Sequence, residues 1–119
     1  MPITMQHERD NIFRVELHGT LRKIDFQRSQ QQLTGEMQRI GTVKLLFLLE
    51  EFDGWEMHAS WNDLSFYVKN GDRIERIAIV GPERWRSEAL MFAGADLRRA
   101  AVEFFREDAL ADARTWLSS

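Results

Sequence analysis

Hydrophobic and polar positions along this chain change period several times, and each change marks an element. In "IFRVELH" (12–18), Phe13, Val15 and Leu17 fall on one side while Arg14, Glu16 and His18 fall on the other. That is the period-2 pattern of a half-buried strand. A second strand joins it through the polar "ERDN", predicting a hairpin of strands 3–7 and 11–18. The period then turns helical, with Phe26, Leu33, Met37 and Ile40 on one stripe over about 24–39 and Gly41 as its stop. Gly35 weakens this helix by about 1 kcal/mol relative to alanine, so its end is expected to fray. "VKLLFLLE" (43–50) is almost wholly apolar, as suits a central strand covered on both faces and parallel to a neighbour.

Trp61, Leu64 and Val68 stand at i, i+3 and i+7, predicting a second helix over roughly 58–70 that "NGD" closes. "RIAIVG" (76–81) is another buried strand, and Pro82 suits the first turn of a third helix over about 83–93. "AAVEFF" reads as a strand, and "EDALADARTWL" as a closing helix with Ala109, Ala113, Trp116 and Leu117 inward. The order is β-β-α-β-α-β-α-β-α. It predicts an α/β fold with a mixed sheet of four to five strands, about four helices and right-handed crossovers.

Composition then removes whole classes of function. The 119 residues suit one domain, 1–119, burying roughly two-thirds of its unfolded surface. Hydrophobic residues at 44% and charged residues at 29% are ordinary for a soluble protein. A net charge of −3 offers no basic footprint, so a nucleic-acid partner is not expected. With no cysteine, disulfides, thiolate catalysis and thiolate metal sites drop out. The start, "MPITMQHERDNIF", lacks the basic-then-apolar order of a signal peptide. The apolar runs "LLFLL" and "ALMFAGA" fall far short of the roughly 18 residues of a membrane span. A soluble, cytoplasmic protein is the expectation.

The run "VKLLFLLEEFDGWEMHASWNDLSFYVKNGDRIERIAIVGPERW" resembles the SpoIIAA-like family of small, mostly bacterial proteins. Its hallmarks here are Phe52-Asp53-Gly54-Trp55, Trp61-Asn62-Asp63-Leu64, and "IERIAIVG" followed by Trp85. The ending "FFREDALADARTWL" also fits, so the likeness covers essentially the whole chain. It implies a STAS-like fold, similar to that of CRAL-TRIO lipid carriers. One departure matters. Phospho-switched STAS regulators carry a serine at the start of the helix after the central strand, and here no Ser or Thr occurs between Thr42 and Ser60. A kinase-controlled switch is therefore not expected.

"EEFDGWEMHASW" (50–61) gathers Glu50, Glu51, Asp53, Glu56 and His58 around Trp55 and Trp61. An acid/base pair needs two groups with divergent pKa values beside a substrate. No nucleophile elbow, His-Glu-x-x-His pair or Gly-rich phosphate loop accompanies these acids. The stretch reads as a fold-defining loop and helix start, with Glu56 favouring the positive N-terminus of the second helix. His7, His18 and His58 lack metal-ligand spacing. The expectation is no enzyme, no catalytic residue, no metal and no cofactor. Gly81-Pro82 reads as helix initiation in preference to an anion site.

The tryptophans say more. Trp55, Trp61 and Trp85 lie at or just after the carboxyl ends of predicted parallel strands, where open α/β sheets bind ligands. "ERWRSEALMFAGADLRR" is too apolar for one buried face, and Arg flanks its Trp85. Such a helix can cover an apolar pocket or rest on a membrane. The leading expectation is therefore a non-enzymatic module for a small apolar or lipid-like ligand, with reversible membrane contact. Its binding residues would be Trp55, Trp61, Leu64, Trp85, Met91 and Phe92. The alternative is a STAS-type regulatory module in which the same surface meets a second copy or another protein.

Overall fold

The computed structural model describes residues 3–56, 73–93 and 101–119. Strands β1 (Ile3–Arg9), β2 (Ile12–Leu21), β3 (Val43–Trp55), β4 (Ile74–Gly81) and β5 (Ala101–Arg106) form one sheet in that order. β1 and β2 pair antiparallel, and every later neighbour pairs parallel. Three α-helices accompany the sheet among the described residues: α1 (Lys23–Ile40), α2 (Arg86–Phe92) and α3 (Leu110–Ser118). A 3-10 turn, Glu83–Trp85, leads into α2, and another, Glu107–Ala109, leads into α3. The mixed five-stranded α/β fold therefore matches the expected pattern. The expected second helix, with Trp61 and Leu64, lies outside the described residues.

Alternation along the strands divides the core into two layers. Phe13, Val15 and Leu17 of β2, Leu45, Phe47 and Leu49 of β3, and Ile77 and Ile79 of β4 face α1 and α2. Leu46, Leu48, Ala78 and Val80, with Ile12, face Ala113 and Leu117 of α3. β3 is thus apolar on both sides because both are covered, as its sequence implies. α1 buries Leu33 and Met37, but Ile40 is 37% exposed, one step past the buried stripe. Gly35 interrupts nothing; the helix continues to Ile40, where the Gly41 N–H donates to the Met37 carbonyl at 2.8 Å. The carboxyl end of α3 is held by two cations from the sheet. Lys44 Nζ donates to the Leu117 carbonyl, and Arg76 donates to the Trp116 carbonyl while lying 5.0 Å over its ring. Positive charge is favourable there.

The largest departure from expectation is β3. It does not end at residue 50; "EEFDGW" is its continuation, not a loop. A regular strand would turn Phe52 toward the α3 side. Glu51 instead adopts φ +48 and the register against β2 shifts, so that His18 faces Glu50 but Gly19 faces Phe52. One extra residue inverts the parity at Phe52, and a second shift, which sets Thr20 opposite Gly54, restores it before Trp55. Phe52 therefore joins the α1 side of the core, 2% exposed.

Gly81 ends β4, and its role is packing as well as termination. A Cβ there would lie 2.8 Å from Leu49 Cβ and 2.9 Å from Leu49 Cδ1. Gly81→Ala is expected to destabilise by about 1–3 kcal/mol, as overpacked cores do. Urea unfolding of Gly81→Ala alone and combined with Leu49→Ala checks this; alanine at 49 keeps the Cβ and removes only the atoms beyond it, so the double variant should recover the clash only in part.

Candidate functional site

Two groupings stand at the carboxyl half of the parallel strands. The first is aromatic. Trp55 ends β3 and Trp85 closes the 3-10 turn after β4, and their rings meet edge-on at 5.8 Å. Phe52 contacts both, at 4.9 Å and 5.3 Å between centroids. Phe92 of α2 lies 5.5 Å from Trp55 and 4.7 Å from Phe26 of α1. These spacings and tilts are those of favourable aromatic pairs. Gly54 makes the closeness possible: its absent Cβ would sit 3.1 Å from Trp85 Cη2.

Of the expected ligand residues, the structure brings together Trp55, Trp85 and Phe92. Met91 does not join them. It points outward, 75% exposed, because α2 turns Ala89 and Phe92 to the core and leaves position 91 on the opposite side. Trp61 and Leu64 lie outside the described residues, as does His58. Trp55 is the centre of this packing, with Trp85 and Phe92 both against it. The described cavity nearest the cluster, lined by Phe26, Leu33, Leu45 and Phe47 among others, is about 20 Å³, room for about one water. A larger open cleft of about 690 Å³ runs between β1 and α3, bordered by Glu8, Arg9, Arg114 and Ser118, and includes none of the expected residues. One feature of the cluster is polar. Nε1 of Trp55 and Nε1 of Trp85 are buried without a hydrogen-bond partner among the described residues.

The acids of "EEFDGWE" separate by role. Glu51 and Asp53 face solvent. Glu56 serves α1: its Oε1 accepts from the Lys23 N–H at 3.2 Å while its own N–H donates to the Leu21 carbonyl; the start of the second helix, which it is expected to favour, lies outside the described residues. A carboxylate among the first free N–H groups of a helix is stabilising. Beside Trp85, Arg86 grips Glu83 with two hydrogen bonds, of 2.8 Å and 3.0 Å. That hydrogen bonding lowers the Glu83 carboxyl and raises the Arg86 guanidinium from their ordinary pKa values.

Glu50 forms the second grouping, which reading along the chain does not reveal. Its Oε2 lies 4.0 Å from His18 Nε2, and the same nitrogen is 3.7 Å from Glu16 Oε2. The three ligand-type atoms fall within 4.8 Å of one another. Glu16 and His18 share a strand face at i and i+2, and parallel pairing sets Glu50 beside His18. The signal in the sequence is the polar side of "RVELH" together with the first charged residue after "LLFLL"; joining them requires the strand register.

No helix among the described residues is long and apolar enough to cross a membrane. No curated protein matches the chain. It resembles, at 25% identity and a TM-score of 0.72, the crystal structure of an uncharacterised DUF3478-family protein with a SpoIIAA-like fold from Shewanella loihica PV-4. That match covers 97% of this chain and 91% of the other. The SpoIIAA-like family model matches residues 12–118, which span the hairpin's second strand, the bulged "FDGW" and the closing helix; the chain belongs to the SpoIIAA-like family.

Proposed function

We propose that this chain is a non-enzymatic, STAS-type interaction module that presents the outer side of α2 to a protein surface, in the first instance a second copy of itself. The observation that carries this is the division of labour on one short helix. Ala89 and Phe92 are spent in the core, while Met91 stands 75% exposed beside them. Flexible, polarisable methionine suits adaptable contacts. Light scattering over a concentration series tests the reading. A reversible dimer is expected, with Met91→Glu weakening it at least tenfold, as about 1.4 kcal/mol at a buried contact would. A strict monomer at all concentrations would count against self-association.

A second reading, an apolar or lipid-like ligand with peripheral membrane contact, is favoured by the two indole N–H groups left without a partner among the described residues. Buried donors within aromatic walls are what an oxygen-bearing apolar molecule would meet. Native mass spectrometry of detergent-free protein distinguishes the two readings, because a stoichiometric adduct of lipid mass would move the weight to the ligand.

A further inference from the structure

We propose that Glu16, His18 and Glu50 form a binding site for a first-row divalent metal ion of the zinc class. His18 Nε2 faces Glu16 Oε2 at 3.7 Å and Glu50 Oε2 at 4.0 Å. A hydrogen-bonded imidazole–carboxylate pair would close to roughly 2.7–3.2 Å. These separations instead resemble the edges of a coordination shell. With bonds of about 2.1 Å, a tetrahedral edge is about 3.4 Å and a trans octahedral pair is about 4.2 Å apart. Small side-chain rotations bring all three atoms onto one ion.

The frame is suited to holding them. All three residues sit on paired strands, with Glu16 opposite Leu48 and His18 opposite Glu50 in the register. They lie mid-strand on one face of the sheet, where the paired backbones hold them rigidly. Glu16 also has a cation beside it. Arg14 Nε lies 3.1 Å from its Oε1, leaving Oε2 turned to His18. The contact is an ion pair without hydrogen-bond geometry, so it sets charge beside Glu16 more than direction. Arg14 in turn reaches Glu8 at 3.6 Å and hydrogen-bonds Gln6, so its charge is shared and does not fall wholly on the cluster.

The donor set indicates the ion. One imidazole and two carboxylates select against calcium and magnesium, which take oxygen alone, and suit zinc, manganese or iron(II). Three protein ligands leave at least one position for water or for a group from a partner. At 25%, 38% and 50% exposure, the side chains are accessible to an incoming ion.

Titration calorimetry of the metal-free protein with zinc chloride tests the site, with cobalt(II) absorption reporting the ligand geometry. One zinc per chain is expected. His18→Ala and Glu50→Gln should each weaken binding at least tenfold, the scale on which lost ligand-shell interactions act. His7→Gln, which alters a histidine outside the cluster, should leave affinity unchanged. Glu50→Gln keeps shape and fold, so its loss of binding reads the site and not stability; melting curves of all three variants confirm folding. No zinc binding by the wild type, or wild-type affinity in both Glu50→Gln and His18→Ala, would overturn the assignment.

Discussion

Phe52→Ala is expected to lower the unfolding free energy by about 3–5 kcal/mol, the range for deleting a fully buried phenylalanine. Phe52 is 2% exposed and meets both Trp55 and Trp85 edge-on. Its loss therefore removes two aromatic contacts as well as the ring's own burial. Total stabilities are about 5–15 kcal/mol, so the variant should sit near the limit of folding at 37 °C. With a urea slope of about 2 kcal/mol/M, the midpoint should fall by roughly 2 M. Tryptophan fluorescence is the natural probe, since Trp55 and Trp85 both contact the deleted ring. Phe105→Ala is the comparison. Phe105 packs in the other layer, only half-buried, against Trp116, and should cost clearly less. A fall below about 1.5 kcal/mol for Phe52→Ala would mean that the cluster collapses around the gap, as only loosely held sites do.

Much of the fold is legible because the strands are strongly patterned. The alternation in "IFRVELH" and the unbroken apolar run of "VKLLFLL" each admit one sheet position, half-covered and doubly covered respectively, and the structure places them so. Boundaries are less legible. Sequence pattern stops β3 at Glu50 because Glu50, Glu51 and Asp53 crowd together there, and charge normally marks a strand's end. The acids are tolerated because Glu51 and Asp53 face solvent while Phe52 and Gly54 are buried, an alternation hidden by the bulge at Glu51 that begins it. Likewise Ile40 fits a helical stripe by spacing alone, yet it stands 37% exposed where Leu33 and Met37 are buried.

The candidate site is legible in part, for a related reason. Chain position alone brings Trp55 and Trp85 together, since Trp55 ends β3 and Trp85 follows the adjacent parallel β4. Whether they line a space or fill one depends on ring orientations to within an ångström, which no pattern encodes. Apolarity groups Met91 with them, and helix phase puts it outside. The His18–Glu16–Glu50 grouping escapes a linear reading because the whole of α1 separates its two strands. Only the parallel register of β2 on β3 makes its members neighbours.

Gly54→Ala is the second large effect, expected at about 2–4 kcal/mol, and it separates two reasons for one glycine. The first is conformational: φ is +103, a region in which a Cβ costs about 1–3 kcal/mol. The second is packing, since the new methyl would press on Trp85 at 3.1 Å and 3.5 Å, and overpacking costs about 1–3 kcal/mol where the neighbour cannot yield. Gly41 supplies the control. It shares a positive φ, +93, but has open space where a Cβ would go. Gly41→Ala should therefore show the conformational cost alone, and the excess of Gly54→Ala over it measures how rigidly Trp85 is held. Pairing Gly54→Ala with Trp85→Leu in a double-mutant cycle isolates that excess as a coupling energy. Equal costs at the two glycines would mean that the indole moves aside freely. A larger cost at Gly54, relieved in the double variant, would tie the "FDGW" motif to the seating of Trp85, and make the bulged end of β3 the platform on which the aromatic cluster is built.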